Sequence, residues 1–195
     1  MKKILLIDNY DSFTYNLVHY IEDIIGKTIT VIRNDKLTLK AIGEFDIIII
    51  SPGPGLPLEA GLLMAIIKEY ASSKIIFGIC LGMQAIALNF GAKLINLKTV
   101  YHGIATPMNV TDKNEVLFKD IPKTFVAGRY HSWIVNADTF PSDLQVTCVD
   151  ENDRIMAIKH KTYNAIGVQF HPESILTKYG KKIIYNFLKY YCNMV

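Results

Sequence analysis

Cysteine is scarce in this chain and scattered: Cys80, Cys148 and Cys192, an odd set with no Cys-x-x-Cys pair. That argues against a disulfide framework and a zinc site, so no metal is expected. A lone cysteine in a reducing compartment is free to be reactive. Long apolar runs are missing as well. A membrane span needs about 18 or more apolar residues in succession, and stretches such as Ile47–Ile50 are only a few residues long. The opening Met1–Ile7 resembles the start of a secretory signal, but Asp8 and Asn9 interrupt it short of the roughly 7–15 residues of a signal core. A cytoplasmic protein is expected. Neither sign of charge dominates: 21 Lys and Arg face 18 Asp and Glu, a formal +3 with no block of like charge. Nucleic acid and membrane surfaces are therefore not expected partners. There is also no repeat, low-complexity tract or linker. What remains is 195 residues, 50% apolar and 20% charged, enough to bury about 70% of the unfolded surface without a staple. A single domain over residues 1–195 is expected.

The first half alternates short, continuous apolar runs with segments of helical period, the pattern of strands buried on both faces and their crossover helices. Ile4–Ile7, Thr28–Arg33, Asp46–Ser51 and Ile75–Ile79 read as strands. A helix capped by Ser12 carries Leu17, Val18, Ile21, Ile24 and Ile25 on one face and ends at Gly26. Further helices are expected over Glu59–Tyr70 and from Leu81 to Asn89. Beyond Gly91 the pattern shortens to Thr106–Thr111, Thr124–Ala127, Leu144–Val149, Ile155–His160 and Ala165–Gln169, as strands added to the same sheet or a small antiparallel layer. A last helix, Gly180–Tyr191, stripes Ile183, Ile184, Phe187, Leu188 and Tyr191. The expected architecture is α/β: an open, mostly parallel sheet with helices on both faces and extra antiparallel strands.

Three segments carry chemistry. In Gly78-Ile79-Cys80-Leu81-Gly82 a buried strand turns sharply into a helix with cysteine at the corner, the pattern of a nucleophile elbow. The flanking glycines are needed because side chains there would collide with neighbouring backbone. The turn lifts the sulfur out of the sheet at a helix N-terminus, where unpaired N–H groups favour thiolate. By itself the pentapeptide is a weak signal, since a buried cysteine is more often a small core hydrophobe. A thiolate near neutral pH needs a base, and the base needs an orienting group. Gln169-Phe170-His171-Pro172-Glu173 supplies both directly after a strand, so His171 would emerge at the sheet edge where Cys80 sits. An arbitrary His-x-Glu is usually a solvated loop; behind a strand, in a chain with the elbow, the balance reverses. The rigid Ser51-Pro52-Gly53-Pro54-Gly55 loop ends another buried strand and lets backbone N–H groups approach a ligand. With the Leu81 N–H it would form an oxyanion hole. It lacks the spacing of a phosphate loop. Together these point to acyl transfer: Cys80 attacks, His171 moves the proton and Glu173 orients it.

As a set, these segments resemble the class I, or triad-type, glutamine amidotransferases, specifically their small subunits in anthranilate and aminodeoxychorismate synthases. The resemblance is carried in order by Asp8–Asn16, Ser51–Gly55, Gly78–Gln84, Arg129-Tyr130-His131-Ser132 and Val168–Ser174. It implies hydrolysis of L-glutamine through a γ-glutamyl thioester, with ammonia passed to a chorismate-using synthase subunit. It also implies that Gly53, Pro54, Gly55, Gln84 and the backbone at Ser132 and Trp133 hold the glutamine, and that Gly53 and Leu81 donate to the oxyanion. No cofactor is implied for this chain; the partner synthase would need Mg2+. From the residues alone, Tyr130-His131-Ser132 is a polar turn before Trp133-Ile134-Val135. Met83 stands where the family often has His, Ile104 where Lys is common, and Trp133 where Leu is common. Trp133 either packs against the substrate or fills the core. Because the family's fold consumes the chain, the chorismate site is expected on a second chain, docked at loops near the catalytic edge. The product expected is anthranilate, for tryptophan biosynthesis, with aminodeoxychorismate, or both, as the alternative. A redox-sensing relative and a cysteine peptidase are the rival classes.

Overall fold

The computed structural model describes residues 2–195. The strands are β1 (Ile4–Asp8), β2 (Thr30–Arg33), β3 (Ile47–Ile50), β4 (Ile75–Ile79), β5 (Leu94–Asn96), β6 (Ile104–Val110), β7 (Thr124–Arg129), β8 (Trp133–Val135), β9 (Leu144–Asp150), β10 (Ile155–His160) and β11 (Ala165–Val168). The helices are α1 (Thr14–Ile25), α2 (Leu39–Ile42), α3 (Leu63–Tyr70), α4 (Leu81–Asn89) and α5 (Gly180–Asn186), the last widening into a π-helical turn over Phe187–Tyr191. Nine strands form one sheet in the order β2-β1-β3-β4-β11-β10-β9-β6-β7. The first five run parallel, the 2-1-3-4-5 order of a flavodoxin-like sheet, and the last four continue it antiparallel. No helix among the described residues is long and apolar enough to cross a membrane.

The continuous apolar strands feed two cores because successive side chains point to opposite faces. On one face Ile4, Leu6, Ile47, Ile49 and Phe77 pack with Leu17 and Ile21 of α1 and Ile183 and Ile184 of α5. On the other, Leu5, Ile7, Ile48, Ile50 and Ile76 meet Leu63, Ile66 and Ile67 of α3 and Ile86 of α4. Helix α4 is buried from Leu81 through Ala87, since α3 and β8 cover the side turned away from the sheet.

The α/β architecture matches the expectation, and three local readings need correction. Ser12 does not cap α1. The Asp11 carboxylate accepts the Phe13 N–H at 2.8 Å and its carbonyl accepts the Thr14 N–H at 3.2 Å, which leaves Ser12 exposed. Thr28 and Ile29 lie outside β2. The Glu59–Tyr70 helix is broken: Glu59 belongs to a 3-10 turn over Pro57–Glu59, its carboxylate accepting the Leu56 N–H, and the chain passes Gly61 at φ 57° before α3 begins. Of the two arrangements open for the segments beyond Gly91, the structure has the first: all five join the large sheet, while β5 and β8, which no expectation covered, form a separate antiparallel pair.

Candidate active site

Parallel register brings the three chemical segments to one edge. Gly167 pairs with Gly78 and Val168 with Ile79, and Ile50 pairs with Gly78, so the residues that follow β3, β4 and β11 emerge side by side. Cys80 stands at the corner between β4 and α4 with φ 52° and ψ −100°, a conformation that costs a non-glycine residue energy and clusters at functional sites. A Cβ on Gly78 would lie 2.5 Å from the Gly82 carbonyl oxygen, and one on Gly82 would lie 2.9 Å from Ile50. The elbow therefore tolerates no side chain at either place. Gly53 is similarly confined, with Asn9 and Leu81 within 2.9 Å of any Cβ there. Asn9 ties the loop to the end of β1: its N–H donates to Ser51 Oγ and its Nδ2 to the Ser51 carbonyl, both at 2.9 Å.

His171 and Glu173 are 2% and 1% exposed. Nδ1 of His171 lies 2.7 Å from Glu173 Oε1. The backbone around the ring is fixed: the His171 N–H donates to the Gly128 carbonyl at 3.0 Å, and Thr177 Oγ1 donates to the His171 carbonyl at 2.6 Å. Phe13 and Tyr130 flank the imidazole with centroids 5.9 and 4.8 Å away. Nε2, the other ring nitrogen, is buried without a conventional hydrogen bond, beside the Cys80 sulfur. Burial opposes charge on this ring, but the Cys80 sulfur and the Glu173 carboxylate outweigh it and hold the His171 pKa well above 6.5. The resting pair thus favours imidazolium beside sulfur.

Cys80 lies between two hollows. One, of about 230 Å³, is lined by Gly53, Pro54, Gly55, Leu81, Gln84, Ser132 and Trp133, every binding residue expected from the sequence, together with Cys80, Tyr130 and His131. The other, of about 340 Å³, lies on the His171 side and is lined by Phe13, His102 and Tyr130 among others. Gln84 is 3% exposed, and its Nε2 donates to the Trp133 carbonyl at 2.9 Å. Trp133 itself is half-buried at the cavity wall. Met83 is fully buried against Gly167 of β11, so its departure from the family pattern changes the core and leaves the cavity lining untouched. Ile104 is 44% exposed at the start of β6. No group of three or more His, Cys, Asp or Glu able to hold a metal ion occurs among the described residues.

The residue reading missed Gln169, which reaches the sulfur, and the cluster behind His131. Arg129, fully buried, is held by Asp150 at 2.7 Å, lies 3.6 Å from the Tyr101 ring centroid and donates from Nε to His131 Nε2 at 3.2 Å. That bond leaves Nδ1–H of His131 to donate to the Trp133 carbonyl at 3.1 Å. Burial and the neighbouring Arg129 push the His131 pKa down to about 3, so His131 is a neutral wall residue and no rival base. The available signal was an arginine two residues beyond the strand-like Thr124–Ala127.

Two predictions arise here. Burial pushes the Cys148 and Cys192 thiols up to about 12, whereas Cys80 faces both hollows. Iodoacetamide at neutral pH is expected to modify one thiol, Cys80, by peptide mapping; comparable modification of Cys148 or Cys192 would contradict this. His131 also makes stability depend on pH. Between about 3 and 6.5 the unfolded chain takes up a proton that folded His131 refuses, so acidification through that window costs roughly 1.4 kcal/mol per pH unit for the one group. Calorimetric melting temperatures should fall as pH is lowered below about 6.5, with a shallower slope in His131→Asn; a flat profile from pH 4 to 6.5 would count against the assignment.

A family model described as glutamine amidotransferase class-I matches residues 5–190. The chain is 44% identical over 190 residues to the aminodeoxychorismate/anthranilate synthase component 2 of Bacillus subtilis (strain 168), covering 96% of each. It is 44% identical over 187 residues to the aminodeoxychorismate synthase component 2 of Escherichia coli (strain K12), covering 95% of this chain and 98% of that one. Among solved structures, a glutamine amidotransferase from Thermotoga maritima superposes with a TM-score of 0.74 over 98% of this chain and 83% of the other. At 16% identity, that likeness shows the fold alone.

Proposed function

Since the chain belongs to the class-I glutamine amidotransferases, we propose that it hydrolyses L-glutamine through a thioester on Cys80 and delivers the ammonia to a chorismate-using synthase subunit. The observation that carries this reading is a strained cysteine beside a buried His–Glu pair, lining a cavity with Gly53, Gly55, Gln84 and Trp133. The Cys80 sulfur bonds to the side-chain amide carbon, and the carbonyl electrons move onto oxygen. Leu81, the first residue of α4, has a backbone N–H with no intrahelical acceptor, and with the Gly53 N–H it meets that oxyanion. Removing one such donor typically costs about 3–4 kcal/mol of transition-state stabilisation. As the intermediate collapses, His171 gives its Nε2 proton to the departing nitrogen, and ammonia leaves behind a γ-glutamyl thioester. Water then attacks, its proton passes to His171, the thiolate is expelled, and glutamate is the second product.

Ammonia released into neutral water is protonated and ceases to be a nucleophile, so the reaction is useful only if an acceptor site receives it directly. A second chain with a chorismate site supplies that acceptor, and Mg2+ would be its requirement; this chain's own steps use side chains and backbone. Anthranilate is the product we favour; aminodeoxychorismate, or both, is the alternative, because both syntheses appear in the relatives' names. The test is to follow glutamate and ammonia from glutamine with wild type and Cys80→Ser, each alone and with either type of synthase chain. Release by wild type that rises on adding the partner, and is absent in the variant, supports the reading. Equal release by both proteins overturns it. The synthase chain that stimulates release identifies the acceptor.

A further inference from the structure

Gln169 is fully buried directly after β11, and its side chain spans from the glutamine pocket to the nucleophile. Its Nε2 lies 3.5 Å from Cys80 Sγ, and its Oε1 accepts from Gln84 Nε2 at 3.1 Å. The polarity of this chain is dictated from its far end. The Trp133 carbonyl can only accept, so Gln84 must present its nitrogen there. That nitrogen has a second hydrogen, which goes to Gln169 Oε1, and the Gln169 nitrogen is left to face the sulfur. An amide flip at either glutamine would set two acceptors or two donors against each other in a buried site, a mismatch that costs about 1–3 kcal/mol.

We propose that Gln169 is a catalytic residue of the same site: its carboxamide donates a hydrogen bond to the Cys80 thiolate and is held in that orientation by Gln84. The inference rests on Cys80 being the nucleophile. A thiolate accepts readily from N–H, whereas a thiol sulfur accepts weakly, so a fixed donor here favours the reactive form. With both Nε2 hydrogens spent, Gln84 has only Oε1 to offer the cavity it lines, which fits a substrate group bearing N–H, such as an α-ammonium. Substrate on Gln84 and the charge state of Cys80 then share one hydrogen-bonded chain. Other titratable groups also line the two hollows at Cys80: His171 with Glu173 behind it, Tyr130 with its hydroxyl on Ser174, neutral His131, and Tyr10, Asp11 and His102 on the His171 side. Substituting Gln169 leaves all of them in place.

The experiment is the pH dependence of Cys80 alkylation by iodoacetamide in the substrate-free protein, which reads the sulfur without requiring turnover. A hydrogen bond to a charged group is worth enough to move the midpoint of that profile by about one pH unit. Gln169→Leu should shift the midpoint upward by that amount. Gln169→Glu keeps the acceptor for Gln84 but sets a carboxylate against the sulfur, and should shift it further. Gln84→Leu should produce a smaller upward shift, and the double variant with Gln169→Leu should do no more than Gln169→Leu alone. A merely space-filling role would not order leucine and glutamate in this way. Profiles of Gln169→Leu and Gln169→Glu superimposable on wild type overturn the proposal; should either fail to fold, an unshifted Gln84→Leu profile does so. Glutaminase activity lost in Cys80→Ser with these profiles unshifted would refute the role of Gln169 and leave the proposed function standing.

Discussion

His171→Asn is expected to lower the turnover of glutamine by about 10²- to 10⁴-fold, the range a positioned acid–base group contributes. The substitution removes both proton positions that Glu173 and Cys80 organise, while the 230 Å³ cavity keeps every one of its lining residues. The loss should therefore fall on kcat, with KM for glutamine little changed, as for a group used in the chemical steps. A second signature follows from the raised pKa of His171. Without an imidazolium beside it the sulfur is harder to ionise, so rapid alkylation of Cys80 should retreat to higher pH. Glutamate release within tenfold of wild type, or an unchanged alkylation profile, would mean that His171 does not act on Cys80.

Breaking the pair behind the pocket is expected to have the largest effect on stability. Asp150→Ala strands Arg129, whose side chain has no exposure, and an orphaned buried charge costs roughly 3–5 kcal/mol. For a chain of this length that corresponds to a fall in melting temperature of about 10 °C. Asp150 contributes more than charge. Its Oδ1 accepts the Asn152 and Arg154 N–H groups at 2.9 and 3.0 Å and so holds the turn between β9 and β10. The effect should reach the substrate as well. Arg129 fixes the tautomer of His131, and His131 with Gln84 fixes the Trp133 carbonyl at the cavity wall. Folded Asp150→Ala should therefore need more glutamine for half-maximal rate. Differential scanning calorimetry within 3 °C of wild type would show that Arg129 had found another partner.

The parts of this site visible in the sequence are those whose physics is local. The Gly-x-Cys-x-Gly corner is set by contacts within five residues and one neighbouring strand, and His171 and Glu173 bond across a single proline. The buried strands were equally plain, because an isoleucine run such as Ile47–Ile50 serves a core on each side of the sheet. Gln169 was hidden: its partners are 85 and 89 residues away in sequence, and a glutamine at a strand end carries no mark of what it faces. Arg129 was hidden for the opposite reason, since charged side chains are almost never fully buried unless paired and its partner lies 21 residues on. The β5–β8 pair escaped because three-residue strands have too short a period to register. Ser12 misled because its neighbour Asp11 supplies the same kind of acceptor one residue earlier.

The central claim is that one sulfur becomes covalently acylated by the substrate's side-chain carbonyl. The most direct measurement is mass spectrometry of the protein quenched in acid during turnover of glutamine, followed by peptide mapping. A γ-glutamyl group on the peptide containing Cys80, absent from Cys80→Ser and lost on chasing before the quench, is the predicted result. Steady release of glutamate with no adduct, or with the adduct on any other residue, would contradict it.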